Sequence, residues 1–269
     1  MAKPRFRLDE LLLERGWFDD LKTAQGWIGS GKVVVDGAVV ATSGTRVSPD
    51  AEIHLRGRRL RFATRGGYKL ERAIQRFGIQ VAGRVCLDAG ASAGGFTDCL
   101  LQQGAARVYA VDVGYGLIKG KLAADPRVQV FEKTNIGELT RQTFDPPIDL
   151  ACADLSYLSL QLALPILRDL FETPYDITAL IKPSFEGLGS RSPSEATHLA
   201  EVLTNLFDAL AAAGFRPMGV AVSPILGGHG AIEFLARFRP GEGLETAAAV
   251  EAGLADLASY PPQPDEAGL

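Results

Sequence analysis

Apolar and polar positions follow two different rhythms along the chain. In the first 60 residues, Arg7-Leu8-Asp9-Glu10-Leu11-Leu12-Leu13 opens an amphipathic helix with Gly16 as its stop. Asp19-Asp20 precede a second helical stretch, with Thr23, Ala24 and Trp27-Ile28 at turn-like spacing and Gly29-Ser30-Gly31 as its break. Lys32-Val33-Val34-Val35 and Ala38-Val39-Val40 then flank Asp36-Gly37, a tight-hairpin signal. Glu52-Ile53-His54-Leu55 forms another strand after the turn at Ser48-Pro49-Asp50. Two helices and a small sheet predict an α+β module over residues 1–60.

After a linker at 61–65 the rhythm changes. Apolar runs at 84–88, 108–112, 128–131, 148–153, 177–181, 218–222 and 232–238 read as buried strands. Helical stretches fall between them, notably 96–103, 159–171 and 194–213, the last starting behind Ser192-Pro193. This alternation predicts an open, doubly wound, Rossmann-like α/β sheet over 66–240. Beyond it, 241–269 reads as a surface helix over 246–259 and a disordered end after Pro261-Pro262-Gln263-Pro264.

Composition adds little until it is divided. The 269 residues carry a net charge of −4, which argues against a polyanionic partner. Residues 1–76, however, hold 15 basic and 9 acidic residues, a net of +6, and the remainder carries −10. The densest cluster is Arg56, Arg58, Arg59, Arg61 and Arg65, followed by Lys69, Arg72 and Arg76. Such asymmetry points to nucleic acid as the partner of the basic part. Three cysteines, Cys86, Cys99 and Cys152, lack CxxC spacing and fit a reducing cytoplasm. The opening MAKPRFRLDELL has no secretory apolar stretch, and no run reaches the roughly 18 apolar residues of a membrane span.

The first strand of the sheet ends in Asp88-Ala89-Gly90-Ala91-Ser92-Ala93-Gly94-Gly95-Phe96. Small residues let the backbone pass close to a ligand, and the next helix offers free N–H groups. Asp112 closes the second strand 22 residues after Gly90, where a carboxylate takes the hydroxyls of a ligand ribose. An adenosine-containing cofactor suits both. Gly90-Ala91-Ser92-Ala93-Gly94 also satisfies the G-x-S-x-G of hydrolases, with Asp154 and His229 downstream. Against that reading, no oxyanion-loop strand precedes it and His229 lies in a Gly-rich turn. A dinucleotide oxidoreductase would want glycine where Ser92 stands.

Four charged residues tip the choice. Lys69 lies at the start of a helix before the first strand, Asp154 and Lys182 each end an apolar strand, and Glu233 lies within one. Charges beside apolar runs are costly unless paired. Two structural ion pairs would explain any pair alone, but placement at two strand ends favours a site.

These residues resemble the TlyA family of S-adenosylmethionine-dependent RNA methyltransferases, related to FtsJ-type 2′-O-methyltransferases. The carrying stretches are RGGYKLERAI, LDAGASAGGFTDCLLQQGAARVYAVDVGYG, DPRVQVFEKTNI, ADLSYLSL, IKPSFE and SPILGGHGAIEF. The first module is similar to the ribosomal S-four-type RNA-binding domain through RLDELLLERG, the stretch from Ala24 to Gly37, and VSPDAEIHL. The resemblance implies 2′-O-methylation of a ribose, of cytidine, in ribosomal RNA or a ribosomal subunit, with S-adenosylmethionine as cofactor and no metal. It puts the catalytic Lys-Asp-Lys-Glu set on Lys69, Asp154, Lys182 and Glu233. Cofactor contacts fall on Asp88, Gly90, Ala91, Ser92, Gly94, Gly95, Phe96, Asp112, Val113, Asn135 and Asp154. The basic residues expected to meet RNA phosphates are Arg5, Arg7, Lys22, Lys32, Arg56, Arg58, Arg59 and Arg65.

Methyl transfer to a hydroxyl requires positioning and removal of one proton. Lys182 is the expected base, with Lys69 nearby disfavouring its charged form and both carboxylates orienting the ammonium groups. Two features depart from the family pattern. Gly187-Leu188-Gly189-Ser190-Arg191 is shorter than usual, and Ala231 stands where asparagine commonly precedes Ile-Glu-Phe. They keep open a small-molecule methyltransferase that has lost the RNA target. A membrane-acting toxin, a label that relatives have carried, finds no long amphipathic helix with a basic face.

Overall fold

The computed structural model describes residues 5–14, 18, 20–49, 51, 53–56, 61–118, 120–172, 174–187, 196–241 and 243–262. Gly16, Asp19, Asp50, Glu52, Arg58, Arg59, most of the short segment after Gly187, Ser192-Pro193 and the end from 263 lie outside them. Contacts divide the chain into two units, Met1–Arg59 and Leu60–Pro264.

The first unit contains β1 (Phe6–Arg7), α1 (Leu8–Glu14), α2 (Leu21–Gly29), β2 (Val33–Val35), β3 (Ala38–Val40), β4 (Arg46–Val47) and β5 (Ile53–Leu55). Asp36 and Gly37 take positive φ values of 49° and 81°, which turn β2 back onto β3 with Val35 opposite Ala38. β5 joins the other edge of β2, and β1 pairs with β4. Leu8, Leu12, Ile28, Val33 and Ile53 are fully buried and form the core with their neighbours. Asp20 caps α2 by accepting from the Thr23 amide at 2.8 Å.

The second unit begins with a packed strap, where residues 61–65 were expected to be a linker. Phe62 is 3% exposed, the Ala63 amide donates to Asp98 Oδ2 at 2.7 Å, and Arg61 pairs with Glu71. The Phe62 ring occupies the space where a Cβ on Gly67 would fall, 2.3 Å from Cγ, so Gly67 is what lets α3 (Gly66–Phe77) start here.

There follow β6 (Val85–Ala89), α4 (Gly95–Gln102), β7 (Arg107–Val111), α5 (Gly120–Ala123), β8 (Val128–Phe131), β9 (Leu150–Ala153), α6 (Leu160–Asp169), β10 (Ile177–Ile181), α7 (Ala196–Ala212), β11 (Pro217–Val222), β12 (Phe234–Phe238) and α8 (Thr246–Ser259). The sheet order is β11-β12-β10-β9-β6-β7-β8, with β12 antiparallel to both its neighbours and the pairings from β10 to β8 parallel. β6, β9 and β10 are buried along their whole lengths, as strands covered on both faces must be. The chain leaves β6 towards β7 on one side and later returns as β9 on the other. That switch point is where open α/β sheets bind ligands.

Two expectations are corrected. Glu233 does not lie within a strand: the ladder starts at Phe234, opposite Ile181 and Val222, and Glu233 is the buried residue just before it. The C-terminal helix is not an appended surface element. In α8, Ala249, Gly253 and Asp256 are buried, and Asp256 accepts from the Val222 amide at 2.9 Å and from Arg72 Nη2 at 2.6 Å. A Cβ on Gly253 would fall 3.1 Å from Val220 Cγ1, so the helix packs closely on β11. At the other end of the sheet, Asp176 is bound by Arg84 and by both sides of the Arg237 guanidinium. Burial opposes its charge, but these hydrogen bonds prevail and hold its carboxyl below the usual range.

The charge division moves as well. Arg61, Lys69, Arg72 and Arg76 belong to the second unit and pair with its acids. Residues 1–59 carry ten basic and eight acidic residues, a net of +2, against −6 for the rest.

Candidate active site

After β6 the chain must turn sharply to enter α4, and positive φ values at Gly90 (87°), Ser92 (47°) and Gly94 (87°) provide the turn. A Cβ on Gly90 would fall 2.4 Å from the Asp154 carbonyl oxygen, so glycine also lets the loops after β6 and β9 touch. Asp112 ties this loop to the next strand end: its Oδ2 accepts from the Ser92 amide at 2.8 Å and its Oδ1 from the Gly114 amide at 2.7 Å.

Asp88 lies under the loop with no exposure. Its Oδ2 accepts from Thr97 Oγ1 at 2.6 Å, while its Oδ1 has no hydrogen-bond partner. Burial pushes this carboxyl up to about 7; the Thr97 bond opposes the shift and the charge of Asp154 adds to it.

The four charged residues form two ion pairs. Lys69 Nζ stands 2.5 Å from Glu233 Oε2, each side chain 7% exposed. Lys182 Nζ stands 2.5 Å from Asp154 Oδ1. That second contact is one of charge, because Asp154 Oδ1 lies outside hydrogen-bonding angles. The hydrogen bond from Lys182 goes instead to Ser156 Oγ at 2.7 Å. Glu233 presses on Gly227, where a Cβ would fall 2.2 Å from Oε1.

All four residues line one cavity of about 370 Å³, together with Gly90, Ala91, Ser92, Gly95 and Phe96. Arg65, expected on an RNA surface, lines it as well. Of the remaining expected contacts, Asp88 lies beneath the loop, Gly94 is a buried member of it, and Asp112 and the exposed Val113 lie beyond it. Asn135 is exposed, and its side chain accepts from the Gly137 amide at 3.0 Å, capping a short 3-10 turn. In the first unit Arg5, Lys22, Lys32 and Arg56 are exposed, with Lys32 over the Trp27 ring at 5.1 Å. Arg7 is engaged by the buried Asp9 at 2.7 Å, which makes it a structural partner of that acid. Sequence reasoning missed Thr64, Gly66, Ser156 and Gly228, all of which line the cavity. Ser156, Gly66 and Gly228 each lie within a stretch that carries the family resemblance, while Thr64 stands outside them.

S-adenosylmethionine fits these residues. The cavity is in the size range of small-ligand sites, its floor is a glycine loop, and it carries both signs of charge for a cationic, zwitterionic molecule. Among the described residues no cluster of His, Cys, Asp and Glu is arranged for a metal, and no helix is long and apolar enough to cross a membrane.

A doubly wound sheet with one reversed strand, and a charged cavity over a glycine loop at its switch point, define an S-adenosylmethionine-dependent methyltransferase. The model of the FtsJ-like methyltransferase family matches residues 62–239. The chain belongs to that family. It is 39% identical over 252 residues to YqxC of Bacillus subtilis, covering 91% of this chain and 90% of that one. It is 40% identical over 236 residues to the 16S/23S rRNA (cytidine-2′-O)-methyltransferase TlyA of Mycobacterium tuberculosis, covering 86% and 88%. A solved structure from Streptococcus thermophilus, described as a hemolysin, superposes with a TM-score of 0.68 at 33% identity, covering 96% of this chain and 98% of that one.

Proposed function

We propose that this protein methylates the 2′-hydroxyl of a cytidine ribose in ribosomal RNA, in the cytoplasm, with the first unit gripping the RNA. The observation that carries this reading is the convergence of Lys69, Asp154, Lys182 and Glu233 on one cavity beside the Gly90–Phe96 loop. The name of the mycobacterial relative, matched over most of both chains, supports the substrate.

When bound, S-adenosylmethionine supplies an electrophilic methyl group on a sulfonium. The chain's own residues do the rest. A ribose hydroxyl is a weak nucleophile near neutrality and needs a base within hydrogen-bond reach. Lys182 Nζ takes that proton. Asp154 supplies the counter-charge for the ammonium that results, at 2.5 Å. Lys69 and Glu233, buried as a pair, line the same cavity and present fixed charges to the reacting groups. Asp112 keeps the glycine loop in place and retains lone pairs for a ligand hydroxyl. Exposed Arg5, Lys22, Lys32 and Arg56 give the first unit its phosphate contacts.

The test is to incubate the protein with labelled S-adenosylmethionine and, in parallel, ribosomal subunits, free ribosomal RNA and a metabolite extract. Label in nuclease-sensitive material, resistant to alkali at one cytidine, is the expected result. Label confined to small molecules overturns the substrate.

A further inference from the structure

Ion pairing and hydrogen bonding separate at Lys182. Asp154 balances the charge, but its Oδ1 meets Nζ outside hydrogen-bonding angles, and an ion pair by itself does not fix how an ammonium group is rotated. Ser156 Oγ, 2.7 Å from the same nitrogen, does impose a direction. Both residues come from the loop after β9, and Lys182 comes from the end of the neighbouring β10, so one loop holds the lysine in two ways. A lysine ammonium has three donors. With one N–H directed at Ser156, the others are restricted to a cone about that bond. Lys182 and Ser156 line the same cavity, the space an acceptor would enter.

We propose that Ser156 is a positioning residue of the methyl-transfer site: its hydroxyl fixes the rotation of the Lys182 ammonium so that one N–H, and after proton loss the lone pair, faces the acceptor hydroxyl. The inference rests on the reading of Lys182 as the base. In that step the hydroxyl proton passes to the Lys182 lone pair and the hydroxyl oxygen bonds the methyl carbon. The carbon–sulfur bond breaks with its electrons going to sulfur, and S-adenosylhomocysteine leaves. Throughout, the Lys182–Ser156 hydrogen bond stays in place. The Phe185 ring, 5.8 Å from Nζ, limits the space on another side.

The experiment compares the full-length wild type with Ser156→Ala, Ser156→Thr and Lys182→Ala. Initial rates are taken with labelled S-adenosylmethionine and isolated ribosomal subunits as acceptor, and cofactor affinity is measured separately by calorimetry. Loss of one hydrogen bond to a charged group predicts that Ser156→Ala lowers kcat roughly tenfold to a hundredfold. KM for both substrates and the calorimetric affinity should stay within about twofold, as expected for an interaction that matters at the reacting groups. Ser156→Thr, which keeps the hydroxyl, should return most of the rate. In 15N-lysine spectra the ammonium signal of Lys182, sharpened by its hydrogen bond, should broaden in the alanine variant and persist in the threonine one. Normal kcat in Ser156→Ala with an inactive Lys182→Ala overturns the role of Ser156 and leaves the base standing. Equal losses in the alanine and threonine variants also overturn it. Turnover in Lys182→Ala overturns the base itself and the inference with it.

Discussion

Lys69 and Glu233, 164 positions apart in sequence, meet as a buried ion pair with 2.5 Å between Nζ and Oε2. Removing either partner leaves the other charged and out of water. Glu233→Ala or Lys69→Ala should therefore cost about 3–5 kcal/mol of stability. Lys69→Met combined with Glu233→Leu should be far milder, while neither form transfers methyl groups. Urea denaturation of the three variants checks the first part and label incorporation the second.

Lys182→Ala should abolish transfer while cofactor binding persists, because the proposed role of the lysine is to take the acceptor's proton. Calorimetry with S-adenosylhomocysteine should give an affinity within about threefold of wild type, against a rate lowered by at least about a hundredfold.

Gly90 combines a positive φ with a contact that no side chain can tolerate. Gly90→Ala should destabilise the protein by about 1–3 kcal/mol through backbone strain alone. It should also weaken the cofactor more than tenfold, since the loop must part from Asp154. Thermal melting with and without S-adenosylhomocysteine separates the two effects.

Asp88 should write itself into the pH dependence of stability. Its folded-state value of about 7 lies above that of an unfolded aspartate. Folding therefore takes up a proton between about pH 4 and pH 7, and this group's contribution declines as pH rises through that window, by on the order of 4 kcal/mol in all. Asp88→Asn cannot titrate. Its urea midpoint, followed from pH 5 to pH 8, should fall less than that of wild type.

Asp256 accepts from the Val222 amide and pairs with Arg72, whose guanidinium also lies 3.6 Å from the Tyr260 ring centroid. Asp256→Ala should cost about 3–5 kcal/mol, as the loss of one partner of a buried ion pair does. A chain truncated after Pro240 should lose the cooperative transition of the second unit in calorimetry.

What could be read in advance follows from which forces are local. Ile177-Thr178-Ala179-Leu180-Ile181 is legible as a strand because a segment covered on both faces must be apolar throughout. Asp36-Gly37 announces a hairpin because only such residues accept its dihedral angles. The reversal of β12 leaves no mark, since hydropathy is the same in either direction. The β1–β4 pair is two residues long, too short to show a period. Among site residues, the charged ones were found, while Thr64 and Gly228, only five positions before Lys69 and Glu233, carry no chemistry of their own that would single them out. Asp256 resembled any surface acid of a helix, for its partners come from α3 and β11.

The position of α3 has a consequence for the chain as it is made. Two of its cations, Lys69 and Arg72, find their carboxylates at residues 233 and 256. Until those residues have been synthesised, the helix carries two charges meant for burial and an apolar face with no finished sheet to cover. The second unit thus closes on itself only at the end of synthesis, because its earliest helix takes its counter-charges from the latest segments.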